Sequence, residues 1–253
     1  YPNPLFVSGY TGLAPKTKEE ITAEKLSVGG TVVEVVYDGK NWKYVPGSKY
    51  NRRLTAAYPK IEFTGAAKVR IPFGIGTLAN CSGGRTPWLT ALSCEENYPD
   101  FNSDERFGYR WKDVPELALK EEQYGWVVEI DPLGELPPQK HTALGRFKHE
   151  NAALHTGKNG QLVVYMGDDE ADQHLYKFVS ADKLDKTKPR AEQRKLLEKG
   201  TLYAADFGNG KWLPLDLARC KADLAKAKDL KVKIEFQADV LINAREVARG
   251  LGA

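Results

Sequence analysis

Short apolar or β-branched runs, each closed by a turn a few residues later, recur along most of this chain. Residues 31–37 are rich in valine and predict a strand. Asp38-Gly39-Lys40-Asn41 is a hairpin signal, and residues 42–45 return across it. Further strands are expected over 52–55, 61–64, 88–93, 125–131, 140–146, 161–166 and 175–179, and a hairpin over 201–207 and 211–215 about Gly208-Asn209-Gly210. Strands separated by short turns suit a propeller of antiparallel blades better than an alternating strand–helix fold. Helices are expected from Thr17 to about Ser27, stopped by Gly29-Gly30, and over 189–199, 216–228 and 239–249, the later ones as insertions between strands. Residues 1–16 read as an irregular entry loop. Gly74-Ile75-Gly76 reads as a loop that lacks the wider nucleotide fingerprint. Residues 97–122 read as a long ordered loop with a helical turn near 116–120, its aromatic residues, Phe107 among them, forming a lid over the core.

The densest chemistry lies in residues 80–97, NCSGGRTPWLTALSCEEN. Gly83 and Gly84 suggest positive φ and Pro87 an extended chain, so the first half reads as a turn and the second as a strand. That strand ends in Cys94, Glu95 and Glu96. A thiolate suits iron or zinc, and carboxylates suit calcium, magnesium or ferric iron. The other readings stay open: Cys94 buried as a small apolar residue, Cys94 paired with Cys81 in a disulfide, and Glu95 and Glu96 solvated. Two more expected strands end in acids, at Lys148-His149-Glu150 and at Gly167-Asp168-Asp169-Glu170. His149 reads as a ligand, a donor to one, or a structural histidine. Arg146 reads as a phosphate holder or an exposed strand arginine, and Cys220 is given no chemistry.

The totals narrow the classes. A chain of 253 residues is long enough for a substantial core. A net charge of +3 gives no argument for nucleic acid. No apolar run approaches the length needed to span a bilayer. Three cysteines are too few for a disulfide scaffold. The chain opens on Tyr1 rather than Met, as a processed or partial chain would.

Residues 80–97 resemble the signature of the PhoX-type alkaline phosphatases. Tyr50-Asn51-Arg52-Arg53 with Thr64-Gly65-Ala66-Ala67, residues 124–132, 143–150 and 164–170, and Gly200-Thr201-Leu202-Tyr203 resemble the same family in the same order. The resemblance implies a mainly β fold, a β-propeller or part of one, built of four-stranded antiparallel blades with a few inserted helices. It implies one region over residues 1–253 lacking the family's N-terminal and C-terminal segments. It further implies phosphomonoester hydrolysis at an iron–calcium centre, with ferric iron and calcium as cofactors, and a periplasmic or extracellular location. By resemblance the metal ligands are Cys94, Glu95 or Glu96, and Glu150; Asp168, Asp169 and Glu170 read either as solvent-facing turn acids or as calcium ligands. The family's later ligand segment, containing Arg-Pro-Glu-Trp, falls past Ala253. Two expectations follow: a phosphatase whose partner is a phosphate monoester, completed by the rest of the propeller or a partner chain, or a non-catalytic propeller segment that binds or scaffolds.

Overall fold

Local chemistry starts the first elements. Asn3 accepts from the Leu5 amide and opens a short helix, Pro4–Ser8, within the expected entry loop. Thr17 and Glu20 form a reciprocal capping box that opens the helix Lys18–Ser27. The computed structural model describes residues 3–12, 14–103, 108–227 and 230–253. Phe107 and Lys228, assigned above to the aromatic lid and to a helix end, lie outside the described residues.

The strands are β1 (Gly30–Val32), β2 (Val35–Tyr37), β3 (Trp42–Tyr44), β4 (Arg52–Leu54), β5 (Lys60–Thr64), β6 (Phe73–Ile75), β7 (Asn80–Arg85) and β8 (Ala91–Glu95). They continue as β9 (Val127–Ile130), β10 (Gln139–His141), β11 (Ala153–Thr156), β12 (Gln161–Gly167), β13 (Leu175–Lys183), β14 (Gly200–Asp206) and β15 (Lys211–Pro214). One sheet of six strands runs β6-β5-β10-β9-β8-β7, and one of five is the meander β11 to β15. β1 pairs with β4, and β2 with β3. The expected four-stranded antiparallel blades are not what forms. β10 lies parallel to β5 and joins two antiparallel groups into the six-stranded sheet. The result is a mixed α/β architecture of several mainly antiparallel sheets, and the sheets do not close into a ring among the described residues.

Alternation builds the main core. Leu162, Val164 and Met166 of β12, Tyr176 and Phe178 of β13, and Leu202 and Ala204 of β14 face the same buried layer as Leu92 and Cys94 of β8. Each fully buried large apolar side chain there contributes about 1.5–3 kcal/mol. A second core replaces the expected aromatic lid. Tyr98, Phe101, Tyr109 and Trp111 pack with Ile21 and Val28, and Trp111 Nε1 donates to Glu24 Oε2 at 2.7 Å. Tyr98, Phe101, Tyr109 and Trp111 thus dock the first long helix.

Several boundaries differ from expectation. Residues 74–76 fall partly in β6. β10 stops at His141, where a 3-10 turn, Thr142–Leu144, begins. The expected helix over 239–249 is two, Gln237–Ile242 and Ala244–Gly250, interrupted at Asn243. Gly83 and Gly84 sit in β7, not in a turn, because a side chain there has no room. A Cβ on Gly83 would lie 1.8 Å from the Leu92 carbonyl oxygen, and one on Gly84 2.0 Å from that of Ala152. The turn is formed by residues 86–90 instead, with Leu89 at φ 65°. Among the described residues no helix is long and apolar enough to cross a membrane.

Candidate functional site

Three chain segments bring acids to one rim. β8 ends in Glu95 and is followed by Glu96. The bridge between His149 and Asp168 sets residues 148–150 beside residues 167–169. Backbone bonds fix the arrangement: Glu96 N to Ala79 O at 3.0 Å, His149 N to Glu95 O at 3.1 Å, and Asp169 N to Lys148 O at 2.9 Å.

The neighbouring strand adds sulfur. Asn80 opposes Glu95, but the next opposed pair is Gly83 with Ser93, so β7 carries one extra residue at Cys81–Ser82. Such bulges re-aim side chains. Here Cys81 is exposed, and the Glu96 and Glu150 carboxylates both act on its thiol. Burial, then the acceptor Glu96, raises the Cys81 pKa above the usual thiol value. Glu96 in turn shares a hydrogen bond with Asp169. Burial, then that contact, raises the Glu96 pKa, and Asn97 Nδ2 donates to its Oε1 at 2.7 Å. Cys81, Glu96, Glu150 and Asp169 thus lie along the same rim.

The other expected ligands are taken up elsewhere. Cys94 is fully buried in the main core, where desolvation pushes its thiol far up, and both it and Cys81 are free thiols rather than a disulfide. Cys94 thus stands in the core, and Cys81 is the exposed thiol beside the acids. Glu95 is buried against Lys140, with Oε1 2.7 Å from Nζ and 2.8 Å from Thr77 Oγ1. Burial pushes Glu95 up and Lys140 down, against their mutual attraction. Asp168 is held by both arms of the Arg245 guanidinium, Nε to Oδ2 at 2.8 Å and Nη2 to Oδ1 at 2.5 Å. It braces the turn that carries Asp169. His149 stacks on Phe147, donates from Nε2 to the Gly145 carbonyl at 2.9 Å, and is held by burial at a pKa of about 3. It is a structural histidine. Arg146 donates to the Tyr124 and Glu121 carbonyls and so is a strut.

Sequence reasoning missed Cys81 and Arg245. The alternation of Leu92 and Cys94 along one strand face carried a signal for the first. Nothing local marked Arg245.

One thiol beside three carboxylates is a donor set that fits iron through sulfur and oxygen, and calcium through oxygen alone. Glu96 and Asp169 are neighbouring carboxylates whose charge a cation would offset. Among the described residues, no three His, Cys, Asp or Glu side chains already stand at a common metal-binding point. The fit is thus one of donor type.

The family model described as alkaline phosphatase PhoX matches residues 7–253. A search of curated proteins finds no match. Among solved structures, the chain is similar to Pseudomonas fluorescens PhoX in complex with vanadate, a transition state analogue, with 33% identity and a TM-score of 0.77. The match covers 94% of this chain and 48% of that one, so this chain spans about half the length of its relative.

Proposed function

Because this chain belongs to the PhoX alkaline phosphatase family, we propose that it supplies part of a metal-dependent phosphomonoesterase, whose metal-holding rim includes Cys81, Glu96, Glu150 and Asp169. The observation that carries this is that the bulge at Cys81, the end of β8 at Glu96 and the bridge between His149 and Asp168 bring a thiol and acids from separate strands to one rim. Iron and calcium, when bound there, would polarise the phosphoryl oxygens and offset charge on the leaving oxygen. The chain's own residues prepare for this. Cys81 gives up its thiol proton on binding a cation, so loading of the site releases a proton. Asp168 and Arg245 hold the Asp169 turn, and Glu95 and Lys140 anchor the backbone beneath Glu96.

The relative's complex with a transition state analogue supports phosphoryl chemistry for this chain too. On this reading the two large sheets are part of a propeller in a periplasmic or extracellular protein. The rest of the propeller, or a partner chain, completes the centre. The second reading, a propeller segment that binds or scaffolds, is favoured by one observation: no finished cage of ligands among the described residues.

Hydrolysis of p-nitrophenyl phosphate by the protein together with the rest of its propeller or its partner chain, measured with added iron and calcium and again after chelation, separates them. The enzyme reading expects metal in the isolated protein, activity lost on chelation, and loss of both in Cys81→Ser but not in Cys94→Ser. A protein that binds neither metal and is inert toward the ester supports the scaffold.

A further inference from the structure

The arm formed by β2 and β3 is pinned at its base and bare beyond it. Asn51 spans the base: its Oδ1 accepts from the Glu34 amide at 2.8 Å, and its Nδ2 donates to the Val45 carbonyl at 2.8 Å. Every residue of both strands is exposed. A two-stranded sheet is marginal in water and gains stability from further strands. Among the described residues, no other strand pairs with it.

The two open edges differ. Val45 N donates to Glu34 O at 3.0 Å, and Asp38 N to Asn41 O at 3.1 Å. Bonding alternates along an antiparallel ladder, so Val36 bonds inward to Lys43, its opposite residue. Val35 and Tyr37 then turn their amides and carbonyls to the outer edge of β2. That edge is uncharged, β-branched or aromatic, and free of proline, the composition that accepts a further strand. The acids flanking it are engaged, Asp38 with Lys43 Nζ at 2.6 Å and Glu34 with the Ser48 hydroxyl. The β3 edge instead carries Lys43 at its centre. Laid antiparallel on itself, β3 would set two ammonium groups opposite each other, which is unfavourable. Laid on itself, β2 sets Val36 against Val36 and Val35 against Tyr37. Charge pattern thus favours self-pairing at one edge and opposes it at the other.

We propose that β2 pairs antiparallel with β2 of a second copy of this chain, giving a four-stranded sheet about a two-fold axis at Val36. Val35 and Tyr37 exchange backbone hydrogen bonds across that axis. On one face Val35, Tyr37, Trp42 and Tyr44 of each copy join into a single apolar layer. The contact is small, so the dimer is reversible, with a Kd on the order of 10–100 μM. The inference does not rest on the phosphatase reading, and either can fail alone.

Sedimentation velocity from about 1 to 200 μM protein tests it, with a shift from monomer to dimer expected across that range. Val36→Lys sets like charges face to face at the axis and should weaken the dimer by about tenfold or more. Val36 is exposed, so the variant leaves the fold intact. In Val36→Cys the two copies of position 36 stand about 4.5 Å apart at Cα, and diamide should link them, as read by mass spectrometry of the joined peptide. Position 43 lies three strand spacings from its copy, about 14 Å, so Lys43→Cys should not link. A monomer at the highest concentration, undiminished association in Val36→Lys, or linking of Lys43→Cys as readily as Val36→Cys overturns the proposal.

Discussion

Cys81 and Cys94 lie on paired strands yet meet opposite surroundings, and their chemistry separates accordingly. Cys81 is exposed, while Cys94 and Cys220 are buried. Iodoacetamide should therefore label the native protein once, at Cys81, and label the other two only in denaturant, as read by mass spectrometry of peptides. Because burial and Glu96 raise the Cys81 pKa, labelling should be slow near neutral pH and should accelerate well into the alkaline range. It should also accelerate in Glu96→Gln. Labelling of native Cys94 would contradict the assignment. The acids at 95–96, 150 and 168–169 were legible as a group, because each follows a recognisable strand. Which of them stay open was not. Lys140 and Arg245 arrive from distant segments to occupy Glu95 and Asp168, and nothing near those acids in sequence announces a partner. The choice of sulfur was half legible: Leu92 and Cys94 share a strand face, but the bulge that turns Cys81 outward depends on pairing between β7 and β8.

Among elements, β7 runs close against the segment that enters β11. Gly84 lets the strand pass against the Ala152 carbonyl, and this approach ties the strand of Cys81 to the one that follows Glu150. Gly84→Ala should cost about 1–3 kcal/mol in denaturant unfolding, since the backbone must shift to admit the methyl group. It should also raise the labelling rate of Cys81 if the rim is set by that junction. Hairpins and caps were readable because their chemistry is local. Asp38 Oδ1 accepts from the Lys40 and Asn41 amides at 2.9 and 2.8 Å, and Asp206 Oδ1 accepts from Asn209 N at 2.9 Å. β7 was unreadable because glycines usually mark turns. Here they mark crowding imposed by strands that come later in the chain.

Over the whole molecule, one buried carboxylate joins several segments. Glu129 Oε1 accepts from Trp88 Nε1 and Thr90 Oγ1, both at 2.6 Å. Its Oε2 meets His141 Nε2 at 2.7 Å and Arg194 Nε at 3.1 Å. Burial alone would raise its pKa, but the hydrogen bond and charge of His141, then Arg194, hold it at about 2. A carboxylate lowered on folding stabilises above its ordinary value. That contribution, about 3 kcal/mol, is lost as pH falls toward 2. His149, kept neutral by burial, acts in the same direction below about 6.5, where the unfolded chain takes up a proton that the folded one refuses. Stability measured by urea should therefore fall steadily on acidification. Glu129→Gln should lose about 3–5 kcal/mol at pH 7 and show a shallower acid limb. A variant with an unchanged acid limb would assign the pH dependence to other groups. The hairpin of β2 and β3 has the opposite character, standing outside every large sheet with Trp42 71% exposed against Tyr37. Since Trp88, Trp111 and Trp126 are sealed inside and Trp212 is half-buried, a collisional quencher such as iodide would dim the red-shifted light of Trp42 most and that of Trp212 less. The molecule thus carries a built-in optical probe for anything that settles on its outermost arm.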